Sequence, residues 1–391
     1  NAIFLASHES CCKHKSISAE TFRKIEEESN KIVQTTIVQP VDDKYVVVNP
    51  SFPPMTSEEL DAVYELPFTR QPHPKYKGKT IPAFEMIKFS VNTHRGCFGG
   101  CAFCTISMHQ GKFVVSRSKE SIIKEVKEIS KMPDFKGYLS DLGGPSANMY
   151  QMRGHNTELC EKCKRASCLF PSICKNLNNN HKPLLELYKE VDRLPCLKKS
   201  FIGSGVRYDL ILHKTNNDEI NRINQEYAEE LIKNHVSGRL KVAPEHTSNK
   251  VLATMRKPSF SLFREFKMLF DRVNSAAKLN QQIIPYFISS HPSCELQDMA
   301  ELAVETKKLN FQLEQVQDFT PTPMTLATEM YHTELDPYTM KPIFVAKTKQ
   351  EKLSQRQFFF WYKPEYKAQI KQLLQRIGRR DLIDKLFSKI K

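Results

Sequence analysis

The sequence predicts an α/β fold in which six strand-then-helix units in series curl a parallel sheet into an open barrel. An N-terminal extension precedes this core and a helical tail follows it. Three observations carry the prediction. From Met86 onward, short apolar runs alternate with amphipathic stretches of helical period. Each run ends in Gly, Pro or polar residues, as strand ends on the ligand-bearing face of a barrel do. The first run leads directly into three closely spaced cysteines, Cys97, Cys101 and Cys104.

Residues 1–85 lack this alternation and read as an extension whose upstream part is truncated, since the chain begins with Asn. A helix over 18–31 is expected from a serine cap, with Ile25 and Ile32 inward and a Glu-rich face outward. A strand is expected over 44–48, before the Asn49-Pro50 turn. Thr56-Ser57-Glu58-Glu59 is a capping box that opens a second helix. Pro67, Pro72, Pro74 and Pro82 make 67–82 an extended connector. Adjacent thiols rarely chelate one metal, so Cys11 and Cys12 receive no role.

The core spans 86–345. Its strands are expected at 86–92, 137–140, 199–202, 239–243, 282–288 and 311–319. Its helices are expected at 118–130, 183–194, 218–235, 262–279 and 294–309. In the fourth of these, Phe263, Phe266, Leu269, Phe270 and Val273 form one inner stripe. Two helices, 350–360 and 364–377, make up the tail over 346–391, the second opened by Pro364.

Composition bounds the function. At 391 residues with 40% hydrophobic and 26% charged content, the chain reads as soluble and globular. No apolar run approaches membrane-spanning length. Eleven cysteines, odd in number and clustered, point to metal binding in a reducing, cytoplasmic compartment. The net charge of +14 is spread along the chain, which fits a solvated basic surface as well as a nucleic-acid partner.

In Gly96-Cys97-Phe98-Gly99-Gly100-Cys101-Ala102-Phe103-Cys104 the spacing is C-x3-C-x2-C. Three thiolates on one loop can hold three irons of a cubane and leave the fourth open, whereas a fully protein-ligated cluster takes four cysteines. Glycines let the loop wrap closely, and Phe98 and Phe103 shield it from water. Zinc is the main rival occupant, although zinc knuckles favour C-x2-C pairs and four ligands. This signature resembles that of radical S-adenosylmethionine (SAM) enzymes. The resemblance implies a [4Fe-4S] cluster whose open iron binds SAM, one-electron cleavage to a 5′-deoxyadenosyl radical, and an electron donor such as flavodoxin or ferredoxin.

A narrower resemblance rests on five segments in order: 89–104; Ser140-Asp141-Leu142-Gly143-Gly144-Pro145 with its continuation to Tyr150; Gly205-Val206-Arg207-Tyr208-Asp209; Ala243-Pro244-Glu245-His246; and Pro285-Tyr286-Phe287-Ile288-Ser289-Ser290-His291-Pro292. Together they look like the YgiQ family of radical SAM proteins, from about Tyr45 onward. The family implies a partial (β/α)6 barrel with one [4Fe-4S] cluster, and no established substrate. By this likeness Gly143 and Gly144 present backbone to the SAM amino group, although Pro145 replaces the acidic residue often found next. Ser204 and Arg207 follow the third strand, and an Arg there holds a carboxylate or ribose in fixed geometry, with a surface ion pair as the alternative. Lys241 and Glu245 face the carboxylate and the ribose. His246 and His291 are candidate acids or bases, or else histidines bonded at the rim. His94 and Arg95 either lend positive charge to the cluster or cap the strand.

A second constellation is Cys160-x2-Cys163-x4-Cys168-x5-Cys174, with His155 and His181 nearby. It sits in an excursion over 150–181, longer than a strand-to-helix loop needs. Four thiols there are enough for zinc or an auxiliary iron–sulfur centre. Reduced, unligated thiols are the alternative.

Two functions compete. One is a radical SAM enzyme of unknown substrate and unassigned catalytic residues. The other is a metal-stabilised binding protein without catalysis, its tail residues Arg356, Arg379, Arg380 and Lys385 meeting RNA beside the aromatics of 358–362. Such an aromatic run is more often the packed face of a helix.

Overall fold

The computed structural model describes residues 2–388. Within the extension, β1 (Ala2–Phe4), β2 (Thr36–Val41) and β3 (Lys44–Val48) form one sheet. β1 and β2 run parallel and are joined by helices His8–Lys13 and Lys15–Ser29, while β3 returns antiparallel. This small βαβ unit was not anticipated. The capping box is formed as predicted, with Thr56 and Glu59 bonded reciprocally.

The first long helix corrects its prediction. It starts at Lys15, and its outer face is not the Glu-rich one: Glu26 and Glu28 are buried, while Ile25 is 36% exposed. Each buried carboxylate has partners to explain it. Arg256 grips Glu26 through two bonds of 2.7 and 2.9 Å, and the Tyr338 hydroxyl donates to the same carboxylate. Lys31 and the Thr35 N–H serve Glu28. Arg256→Ala therefore leaves a buried carboxylate without its cation. The expected loss is about 3–5 kcal/mol of stability, measured by denaturant unfolding, and a loss below ~1 kcal/mol would contradict the packing described.

In the core, the expected first strand is shorter and later than 86–92. Pro82 opens a helix, Pro82–Ile87, because its fixed φ suits a first turn; β4 is only Ser90–Asn92. β5 (His94–Arg95) and β6 (Val115–Ser116) form an antiparallel pair on either side of the cysteine loop. β7 (Tyr138–Leu139) and β8 (Asp141–Gly143) are two pieces of the second strand, and β9 (Lys199–Ser200) is the third. β10 (Arg239–Glu245), β11 (Gln282–Ser289) and β12 (Gln315–Asp318) complete the series. The helices fall where their periodicity put them: Lys119–Ile129, Lys182–Asp192, Asp218–Asn234, Phe260–Ala276 and Leu296–Lys308.

All six strand positions are present in order and pair in parallel, but not as one continuous sheet. β4 pairs β8, β7 pairs β9, and β10, β11 and β12 form a separate ladder. Between the two arcs, Ile202 N–H donates to the His235 carbonyl at 2.9 Å. The first-half strands run for two or three residues and are interrupted by turn residues such as Gly137 and Gly203, which shortens the ladders.

One apolar core joins both arcs, and it includes Phe263, Phe266, Phe270 and Val273, with Leu269 at its edge. The tail packs onto it: Phe358 and Phe359 are fully buried, each stabilising the core by about 2–3 kcal/mol. Its helices are Lys349–Arg356, continued by a 3-10 turn, Pro364–Arg376, and Asp381–Phe387, the last unforeseen. Two of its candidate cations pair within the chain. Arg356 pairs Asp318 at 3.0 Å, and Arg379 pairs Glu301 at 2.7 Å and Asp381 at 2.9 Å. Phe358 and Phe359 of the aromatic run are thus on the packed face. Among the described residues, no helix is long and apolar enough to cross a membrane.

Burial also silences several histidines. Desolvation pushes His94, His181 and His246 down to about 4, and His291 to about 3. His181 is bonded to Asn148 and Asn224 and is not free to ligate a metal. His246 and His291 are not the near-neutral acids and bases considered from sequence. A depressed histidine binds a proton more readily once unfolded, so the stabilisation is full above about pH 6.5 and is lost as pH falls towards 4. Each group contributes a slope of about 1.4 kcal/mol per pH unit in that window. Cooperative acid unfolding with uptake of several protons is expected between about pH 6 and 4 by circular dichroism. Equal denaturant midpoints at about pH 7 and pH 4.5 would contradict it.

Candidate metal and cofactor site

The cysteine loop is fixed from several sides. Cys97 N–H donates to the Gly111 carbonyl at 3.0 Å, and the Ser107 hydroxyl to the Cys97 carbonyl at 2.8 Å. Ala102 N–H reaches the Met255 carbonyl, while the Ala102 carbonyl accepts from Ala327 N–H. Phe98 is buried in a satellite cluster with Met149, Met152 and Leu210. Phe103 meets the His291 ring edge-on at 5.9 Å between centroids. Both phenylalanines thus line the loop with apolar surface, as the sequence led us to expect.

Gly100 is required by geometry twice over. Its φ is +57°, and a Cβ there would stand 2.1 Å from the Ala166 carbonyl oxygen. The cysteine-rich excursion is thereby pressed against the loop.

Cys97 and Cys101 border one region together with Arg207, and Cys104 lies near enough to Cys101 to feel its charge. A Cβ on Gly99 would lie 3.2 Å from Cys97 Sγ, 3.9 Å from Cys101 Sγ and 3.3 Å from Arg207 Nη1. Burial, then the neighbouring Cys101, pushes the Cys97 thiol up to about 12. Burial and Cys101 also raise Cys104, with Glu245 adding to the effect and Lys257 opposing it. Thiols held this way ionise only when a cation arrives to receive them.

Arg207 is the strongest of the sequence-predicted cofactor residues. Its side chain is buried, its Nε donates to Asp209 Oδ1 at 2.9 Å and its Nη2 to Oδ2, and its Nη1 lies 3.6 Å from Cys101 Sγ. The surface-pair alternative is wrong: the pair is interior. Burial opposes the Asp209 carboxylate, but Arg207 outweighs it and holds Asp209 below the usual range. Asn148 fixes the neighbouring backbone, accepting from Arg207 N–H at 2.8 Å and donating to its carbonyl at 3.0 Å.

Glu245 ends β10 in a left-handed conformation, φ +67°, and is buried with Lys257 Nζ 3.6 Å away. Burial raises its carboxyl against the pull of Lys257 and Arg207. Cys97, Cys101, Cys104, Arg207 and Glu245 are therefore one electrostatic group.

Gly143 and Ser204 are brought together on neighbouring strand ends by a residue that sequence reasoning passed over. Asp141 accepts from the Gly203 N–H at 2.9 Å, the Ser204 N–H at 3.2 Å and the Ser204 hydroxyl. A Cβ on Gly143 would stand 2.9 Å from that carboxylate. Its signal was its place, one residue before Leu142-Gly143-Gly144 at a strand end. Gly144 is packed differently: a Cβ there would collide with the His94 ring at 2.4 Å, so His94 backs the glycine turn. Lys241 is exposed on β10, and Arg95 is exposed beside the loop.

Cys160, Cys163, Cys168 and Cys174 are all free and half-buried in the excursion. Among the described residues, no three His, Cys, Asp or Glu side chains stand as ligands of a single ion.

Residues 1–90 match a family model described as Radical SAM N-terminal, and residues 314–386 match a domain of unknown function, DUF3362. A UPF0313 protein of Bacteroides thetaiotaomicron is 66% identical over 99% of this chain and 62% of its own length. One from Porphyromonas gingivalis is 59% identical over 98% of this chain and 61% of its own. One from Methanosarcina acetivorans is 44% identical over 97% and 50%. The chain thus spans between half and about three fifths of these relatives. Solved radical SAM enzymes overlap it loosely. The methyltransferase TsrM from Kitasatospora setae has a TM-score of 0.40 at 12% identity, over 62% of this chain and 39% of that one. The cobalamin-dependent OxsB has 0.40 at 14%, over 89% and 42%. With relatives this similar along nearly its whole length, the chain belongs to the UPF0313 family, the YgiQ family that its motifs resemble.

Proposed function

We propose that this chain is the core of a radical SAM enzyme in which Cys97, Cys101 and Cys104 ligate a [4Fe-4S] cluster with one iron open to SAM. The observation that carries the proposal is the buried Arg207 guanidinium, 3.6 Å from Cys101 Sγ and bordering the same space as Cys97. Three soft thiols are the donor set such a cluster takes, so the residues fit the group in chemistry. Gly99, without a side chain, lets Cys97, Cys101 and Arg207 approach one another, and cluster loading has to draw the three thiols onto one centre.

When bound, the cluster supplies the one-electron reduction that splits SAM. The chain's own residues bind, orient and exclude water. Asp209 holds the guanidinium plane by two bonds, leaving Nη1 to donate to a carboxylate or to a ligating sulfur. Asp141 holds the Ser204 turn against Gly143, which keeps that backbone edge in place for an amino group or ribose hydroxyl. Lys257 keeps Glu245 within reach of a hydroxyl. Phe98 and Phe103 keep the loop dry. A flavodoxin- or ferredoxin-type donor supplies the electron, and the substrate is left unnamed. The test is 5′-deoxyadenosine formation from SAM by anaerobically reconstituted, reduced protein. Formation above the protein-free control is expected, and its absence at full iron loading would overturn the reading.

A further inference from the structure

We propose that Cys160, Cys163, Cys168 and Cys174 hold a second, thiophilic metal centre, iron–sulfur or zinc, whose negative charge is balanced by Lys112 and which locks the excursion onto the cysteine loop. Two independent observations meet here. The first is the gathering of the thiols. Cys163 N–H donates to the Cys160 carbonyl at 3.2 Å, and Cys174 N–H to the Cys168 carbonyl at 2.8 Å, so the four are tied in two linked pairs. Cys168 and Cys174 share one apolar cluster with Phe98 and Cys97. Asn176 Nδ2 caps Cys160 Sγ at 3.4 Å.

The second observation is an ammonium inside the protein that, among the described residues, has no carboxylate partner and lies over the Phe113 ring at 5.5 Å. Lys112 is 4% exposed. Its Nζ bonds the Asn30 carbonyl at 3.5 Å, the Arg165 carbonyl, and Cys163 Sγ at 3.9 Å, and none of the three is a carboxylate. A buried cation costs several kcal/mol unless an anion answers it. Neutral thiols do not answer it; thiolates on a metal do, because a four-thiolate centre is a net anion.

The position gives the centre a task. Cys168 N–H donates to the Phe98 carbonyl at 3.0 Å, and the Ser167 hydroxyl to the Gly99 carbonyl at 2.6 Å. The excursion thus buttresses the loop that carries Cys97 and Cys101. Each residue it orders costs about 1–2 kcal/mol of conformational entropy, and metal–thiolate bonds offset that cost. The thiols do not already converge on one ion, so loading has to draw them in.

The experiment is metal and sulfide analysis of three proteins reconstituted anaerobically: the unaltered chain, the Cys97→Ala/Cys101→Ala/Cys104→Ala variant, and Cys163→Ser. The triple variant is expected to keep iron with sulfide, or zinc, at a level of about one centre per chain. Cys163→Ser is expected to lose that share and retain the rest. Loading the triple variant should slow protease cleavage within 157–176, and Lys112→Met should release its metal to a chelator about tenfold faster or more. Iron with sulfide identifies a cluster, and zinc without sulfide identifies a structural ion. A natively folded triple variant with neither metal overturns the proposal. Should that variant fail to fold, unchanged metal content in Cys163→Ser overturns it.

Discussion

Cys101→Ala is expected to lose the cluster at the 97–104 loop and, with it, all reductive cleavage of SAM. The expectation follows from ligand number. A cubane held by three thiolates has no spare protein ligand, so removing one leaves two irons exposed. Cys101 is also the sulfur that Arg207 faces, at 3.6 Å, so its loss strips the guanidinium of that contact. The backbone should survive, because the loop is fixed at other residues: Cys97 N–H on Gly111, Ala102 N–H on Met255, and Ser167 on Gly99. A cooperative unfolding transition near that of the parent, with 5′-deoxyadenosine at background, is the expected pair of results. Cleavage at the parent rate would remove Cys101 from the ligand set.

The second large effect is at Arg207. Arg207→Ala leaves Asp209 buried without its cation, which costs about 3–5 kcal/mol of folding stability. It also removes the Nη1 donor, which weakens SAM binding by about 1–3 kcal/mol, or roughly 5- to 150-fold in Kd. A double variant separates the two roles. Arg207→Gln with Asp209→Asn restores a neutral pair, so most of the stability returns while the weakened binding persists. A double variant that binds SAM as the parent does would leave Arg207 a structural residue only.

Much of this was legible in sequence where one element's own pattern decides its structure. Phe263, Phe266, Phe270 and Val273 recur at helical spacing and are buried as that spacing requires. The capping box at Thr56 needs only four residues and is formed. The six strand ends were readable because each switches abruptly from apolar to Gly, Pro or polar. What was not legible depended on partners far away in the chain. Glu26 looks like a surface glutamate until Arg256, 230 residues on, arrives at 2.7 Å. The Arg207–Asp209 pair was not legible because nothing local announces that both residues are buried. Lys112 carries no motif, and only its enclosure by Asn30, Arg165 and Cys163 makes it notable. The continuous barrel sheet failed for a different reason. Strands of two or three residues have the right order and too few ladder bonds to join.

The central claim is that the cysteine loop leaves one iron open and that SAM binds it. The most direct measurement is the electron paramagnetic resonance spectrum of the reduced, reconstituted chain with and without SAM, taken in the Cys160→Ser/Cys163→Ser/Cys168→Ser/Cys174→Ser background so that only the first site contributes. The account predicts a [4Fe-4S] signal whose g values shift when SAM is added and which is lost in Cys101→Ala. A cluster signal indifferent to saturating SAM would show an iron already filled by the protein, and would contradict it.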